Sequence, residues 1–96
     1  MLTSPVEPVS TVSIRLSARE QQVLVYFMCG LTVKNTAQQL GVTQWTVKTH
    51  QRNLYRKLQV SDRMSAILWG WRQEGFRRAV ETTVESISLS LKQTED

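Results

Sequence analysis

Only Gly41 and Val42 stand between Leu40, the last apolar residue of one helical pattern, and Thr43, which opens the next. The earlier pattern is Val33, Thr36, Ala37 and Leu40, spaced i, i+3, i+4 and i+7, with Thr32 as its start signal. The later one runs from Gln44 to Leu58 and gathers Val47, Leu54 and Leu58 on one side. Val42 before the cap and Val47 four residues beyond it form a hydrophobic staple, which fixes the angle at which the chain enters the helix. Two helices joined by so short a glycine-containing turn must cross steeply. This turn constrains the fold more than any other feature, and it predicts a helix-turn-helix around which the rest of the chain packs.

The flanking sequence supplies the packing partners. Ser17 and Glu20 make a capping box, in which hydroxyl and carboxylate each satisfy an orphan backbone N–H. The helix that follows is expected to bury Val23, Leu24, Phe27 and Met28 and to end at Gly30. After the Gln44–Leu58 helix, Ser61 is the expected cap of a fourth helix. That helix is expected to bury Met64, Ile67, Leu68 and Trp71 and to end near Gly75. Phe76, Val80, Val84, Ile87 and Leu91 then recur at helical spacing, which predicts an amphipathic C-terminal helix or tail in need of a partner. The expected organisation is all-α: a flexible arm over 1–14, a four-helix domain over 15–75 and a C-terminal helical extension over 76–96.

Charge narrows the function. Of the twelve Lys and Arg residues, eleven fall within residues 15–78, where only Glu20, Asp62 and Glu74 oppose them. The arm holds one acid, Glu7, and the last 18 residues are acidic on balance. A basic middle points to a polyanion; charge alone leaves a merely solvated surface equally open. The helix face decides between them. Trp45, Lys48, Thr49, Arg52 and Arg56 lie opposite the apolar stripe, and no Asp or Glu occurs from Lys34 to Gln59. An ordinary exposed helix mixes charge signs to gain pairs four residues apart. A helix apolar inward and basic outward, second in a helix-turn-helix, is the arrangement that enters the DNA major groove. Lys and Arg can donate to guanine O6 and N7, and Thr can bond a base or touch a thymine methyl.

Other classes fit poorly. One His, one Cys, no glycine-rich phosphate loop and no catalytic pairing of carboxylates argue against an enzyme, a metal site or a cofactor. Cys29, beside Phe27 and Met28, reads as a buried thiol. No apolar run reaches the roughly 18 residues of a membrane span, and the N-terminus lacks a secretory pattern. A cytoplasmic protein working at the nucleoid is expected.

The stretch LSAREQQVL, followed by GLTVKNTAQQLGVTQWTVKTHQRNLYRKLQVSDRMSAI, resembles the LuxR-type helix-turn-helix, the GerE- and NarL-like domains. T-V-K-x-H followed by K-L-x-V and an Arg is its most specific wording, and the resemblance runs without a gap over about residues 15–71. It implies a four-helix domain whose third helix reads DNA and whose fourth commonly mediates dimerisation. By position, Lys48, Thr49 and Arg52 match base-reading residues, and Thr46, Arg56 and Lys57 match positions near phosphates. Thr32 and Lys34 match the start of the supporting helix, also near phosphates. His50 matches the family's His and is expected to be structural or near a phosphate. Gln22, Asn35 and Thr36 depart from the pattern, where Glu, Glu and Ile are usual. Thr36 is expected to weaken one core contact by about 1 kcal/mol. Trp45 is unusual on a DNA-facing side: it fits a base-reading role against a thymine methyl or sugar, or else a protein contact.

The expected function is a sequence-specific regulator of transcription, bound to double-stranded DNA as a homodimer. Trp69, Phe76, Val80, Val84 and Ile87 are the expected dimer contact. Trp69, off the face expected to be buried, serves either as an exposed interface anchor or as packing for the C-terminal segment. Family members usually carry a regulatory domain ahead of this one. Here 14 residues precede it, so the chain is expected to be either a stand-alone regulator, the favoured reading, or a piece of a longer protein. The alternative is a protein-interaction co-regulator that pairs with a larger transcription factor or with RNA polymerase.

Overall fold

Ser17 and Glu20 start the first helix as a reciprocal pair. The Glu20 amide donates to Ser17 Oγ at 3.1 Å, and the Ser17 amide donates to Glu20 Oε1 at 2.9 Å. The computed structural model describes residues 14–95, with side chains to Leu89. The expected arm, except for Ile14, and the side chain of Leu91 lie outside the described residues. Helix α1 spans Ala18–Met28 and buries Val23, Leu24, Phe27 and Met28 as expected. It also buries Val25, on another side. The reason is its place in the fold: α1 packs against each of the other four helices, so its C-terminal half is buried on more than one side while Arg19, Gln21 and Gln22 of its first turns stay exposed.

Helix α2 (Val33–Leu40) and helix α3 (Gln44–Leu58) form the helix-turn-helix. Thr32 and Thr43 cap them, each accepting the amide three residues on, at 3.0 and 3.1 Å. Gly41 takes the left-handed conformation (φ 70°) that ends α2, which costs glycine little. Gln59 ends α3 in the same conformation (φ 59°), one that residues other than glycine seldom adopt. Val47 and Leu54 of α3 are fully buried beside Leu24 and Phe27, so the inner face of α3 is fixed to α1. Thr36 is also fully buried, and its Oγ1 has no hydrogen-bond partner. The departure at this position therefore costs more than a lost methyl: an orphaned hydroxyl sits in the core.

The fourth helix corrects the sequence reading in three ways. Helix α4 spans Arg63–Trp71, and its cap is Asp62, whose Oδ1 accepts from the Ser65 amide at 2.8 Å, not Ser61. Its inner face is also different. Ala66 and Gly70 are buried, Ile67 and Trp69 are partly buried, and Met64, Leu68 and Trp71 are exposed. Small residues face inward because α1 comes so close: a β-carbon on Gly70 would stand 2.5 Å from Met28 Sδ. Finally, α4 stops at Trp71, and Gly75 lies in the first turn of helix α5 (Glu74–Glu95).

Helix α5 meets Trp69 of α4. The Trp69 and Phe76 rings meet edge to face, with centroids 5.6 Å apart, a favoured aromatic geometry. Trp69 thus packs against the C-terminal segment and is partly buried. Val80 is buried and Ala79 packs beside it, whereas Val84 and Leu89 are exposed. The first two turns of α5 belong to the core and the remainder extends past it. All five helices are α, and no strand occurs among the described residues. None of these helices is long and apolar enough to cross a membrane.

Candidate nucleic-acid interface

The outer face of α3 is built by what its inner face binds. Val47, Leu54 and Leu58 are held in the core, so the residues opposite them must point outward. Trp45, Lys48 and Arg52 are all exposed, and Thr49 is half-exposed beside them. They stand at i, i+3, i+4 and i+7, one continuous strip along about two turns. The indole of Trp45 is 72% exposed, the most of any large apolar side chain described. Lys48, Arg52 and Arg56 border one shallow hollow together with Val33, Tyr55 and Val60. The structure therefore brings together three basic residues singled out in the sequence, and sets Trp45 one turn before them.

The basic side chains differ in what already holds them. Lys48 and Arg52 of α3, and Lys34 near the start of α2, have no hydrogen bond or ion pair among the described residues. Arg56 donates from Nη2 to Asn53 Oδ1 at 3.0 Å. Lys57 donates to Glu20 Oε1 at 2.8 Å, an ion pair across 37 positions of sequence. Glu20 is buried. Burial pushes its carboxyl up, but hydrogen bonds from Lys57 and Ser17, together with the Lys57 charge, outweigh that and hold it below the ordinary range. The capping carboxylate of α1 thus ties down the last turn of α3. Sequence reading assigned Glu20 its cap and Lys57 its charge, but nothing local linked the two.

The threonines are committed locally. The Thr32 hydroxyl donates to Asn35 Oδ1 at 2.9 Å while capping α2. The Thr43 and Thr46 hydroxyls share a hydrogen bond of 3.0 Å. Thr49 Oγ1 donates to the Trp45 carbonyl at 3.1 Å. The protons of Thr32 and Thr49 are thus in use, as is one of the two in the Thr43–Thr46 pair, and each hydroxyl keeps acceptor capacity. His50 is half-buried on the flank of α3, between the outer strip and the core. Cys29 is half-buried rather than fully buried, and burial pushes its thiol up, away from the reactive thiolate.

Arg63 is the residue whose role sequence reading missed. Its guanidinium lies 4.3 Å from the centre of the Phe27 ring, and Nη2 donates to the Leu31 carbonyl. It joins α4 to α1 and to the α1–α2 connection. Its only signal in sequence was its place in the family wording.

Comparison with known proteins agrees with this geometry. Residues 15–69 match the model of the bacterial regulatory proteins, luxR family. The chain is 46% identical over 70 residues to the probable transcriptional regulatory protein NarL of Mycobacterium tuberculosis, covering 73% of this chain and 30% of that protein. It is 45% identical over 53 residues to the HTH-type transcriptional regulator MalT of Vibrio parahaemolyticus, covering 55% of this chain and 6% of that one. With the response regulator protein TodT of Pseudomonas putida the identity is 48% over 46 residues, covering 48% of this chain and 20% of that one. The chain thus spans less than a third of the length of these relatives. No solved structure matches it.

Proposed function

We propose that this chain, which belongs to the luxR family of bacterial regulatory proteins, regulates transcription by laying the outer face of α3 in the major groove of double-stranded DNA. The observation that carries the reading is the exposed strip of Trp45, Lys48, Thr49 and Arg52 on the second helix of a helix-turn-helix, with no acid from Lys34 to Gln59. In this reading Lys48 and Arg52 donate to base edges. Thr49 contributes acceptor and methyl contacts, since its proton is taken. Lys34, Arg56 and Lys57 face phosphates, with the backbone amides at the capped starts of α2 and α3, near Thr32 and Thr46, adding helix-dipole attraction. Such work places the protein in the cytoplasm, at the nucleoid.

Binding as a pair of copies belongs to the same reading, because one such domain reaches few base pairs. Of the expected contact residues, Trp69, Phe76 and Val80 are engaged within the chain, while Val84 and Ile87 lie on the part of α5 beyond the core. Exposed Met64, Leu68 and Trp71, at i, i+4 and i+7 on α4, supply the larger apolar strip and extend the proposed contact.

Selection of duplexes from a random pool, with the chain alone at about 150 mM salt, tests this function. Enrichment of an inverted repeat supports paired, sequence-selective binding. Salt-sensitive binding without enrichment contradicts it and favours the co-regulator, with the α4 strip as its protein contact.

A further inference from the structure

We infer that Trp45 reads the C5-methyl group of a pyrimidine, so that the chain distinguishes thymine and 5-methylcytosine from their unmethylated counterparts. The inference rests on the proposed placement of α3 in the major groove and names what one position there recognises. Trp45 is the second residue of α3, one turn before Lys48 and Thr49, with its indole 72% exposed. Early residues of a groove-bound helix are those that contact base edges. The floor of the major groove is otherwise a row of hydrogen-bond donors and acceptors, and its one apolar feature is the pyrimidine C5-methyl. Covering a base donor or acceptor with indole carbon would leave that polar group without a partner, at a cost. Covering a methyl removes apolar area from water on both sides. An indole in this place therefore favours sequences that set a methyl beneath it.

The neighbouring side chains sharpen the assignment. The Thr49 proton is held by the Trp45 carbonyl, and the Thr43 and Thr46 hydroxyls hold each other. Of the threonine protons near Trp45, that of Thr49 and one of the Thr43–Thr46 pair are already committed. Lys48 and Arg52, further along the strip, are the long donors without internal partners, and position 45 offers mainly apolar ring surface with a single N–H at its edge. Exposure at this level also means that Trp45 supports no packing within the chain, so its replacement should leave the fold intact.

The test is a cycle between protein and DNA. The full chain, Trp45→Ala and Trp45→Phe are titrated against the duplex that the chain enriches from a random pool. Each thymine of the half-site is replaced in turn by deoxyuridine, which deletes one methyl and nothing else. At the position under Trp45, deletion should weaken the full chain about fourfold, the worth of one buried methyl. It should leave Trp45→Ala unaffected. Trp45→Phe should keep part of the discrimination, because it keeps an apolar ring while losing the pyrrole portion and its N–H. A companion duplex carrying cytosine at that position should bind more tightly when the cytosine is 5-methylated, again only if the ring is present. Equal losses in the full chain and Trp45→Ala at every position would overturn the inference while leaving DNA reading by α3 intact. Loss of discrimination in Trp45→Phe would overturn it in favour of a hydrogen bond from the indole. Failure of the full chain to prefer any duplex would overturn the DNA reading on which it rests.

Discussion

The last turn of α3 and the turns before it carry similar charge and different obligations. Lys48 and Arg52, before the last turn, are exposed and have no partner among the described residues. Arg56 and Lys57, in the last turn, are held by Asn53 and Glu20. A side chain without internal partners can align with whatever base edge it meets. A side chain already anchored, and placed where it also offsets the negative end of the helix dipole, is better suited to meeting a phosphate at a fixed place. The difference teaches that a count of basic residues overstates the surface free to read bases in the proposed complex: two of the four basic side chains of this helix already have partners within the chain.

Replacing Arg52 breaks the comparison at its stronger end. Arg52→Ala should cost about 1–3 kcal/mol of binding to the preferred duplex and relax sequence choice, checked by titration against that duplex and a scrambled one. Glu20→Gln acts on the other end. It removes the capping carboxylate's charge and its pair with Lys57. Unfolding stability should fall by about 1–2 kcal/mol, a value kept modest because Lys57 is partly solvated. Denaturant titration measures it. The same variant frees Lys57, so its salt slope on DNA should steepen by up to about one.

Acid should act as Glu20→Gln does. The folded carboxyl titrates below its unfolded value. The stability it contributes is therefore complete above the ordinary carboxylate range and is lost as pH falls through the lowered folded value. Melting temperature against pH should show this loss in the wild type and less of it in Glu20→Gln. Thr36→Val should raise stability by about 1 kcal/mol, because it removes the orphaned buried hydroxyl and keeps the shape. Gln59→Gly should give the smallest gain, about 0.5–1 kcal/mol, by relieving a left-handed backbone that favours glycine; thermal melts resolve both.

The helix-turn-helix was legible because its signals are local. Ser17 with Glu20, Thr32, Thr43 and Gly41 each act within a few residues, and the structure shows every one in the expected role. Helix α4 was misread because Arg63–Trp71 is apolar almost all round, so its period does not single out a face. Large residues were placed inward by default, yet the close approach of Met28 to Gly70 requires small ones. Gly75 read as a stop, but its backbone is not left-handed and the chain continues as helix through it. The Lys57–Glu20 pair and the stacking of Arg63 on Phe27 join residues more than thirty positions apart, and no spacing rule reaches that far.

One measurement tests the division of α3 directly. The affinities of Lys48→Ala, Arg52→Ala, Arg56→Ala and Lys57→Ala are compared with that of the wild type on a selected and a scrambled duplex, over a range of salt. The account predicts that the first two shrink the gap between the duplexes, whereas the last two weaken binding to both alike and leave the gap. If the first two leave the gap intact, or the last two close it, the outer strip of α3 does not read sequence and the account is wrong.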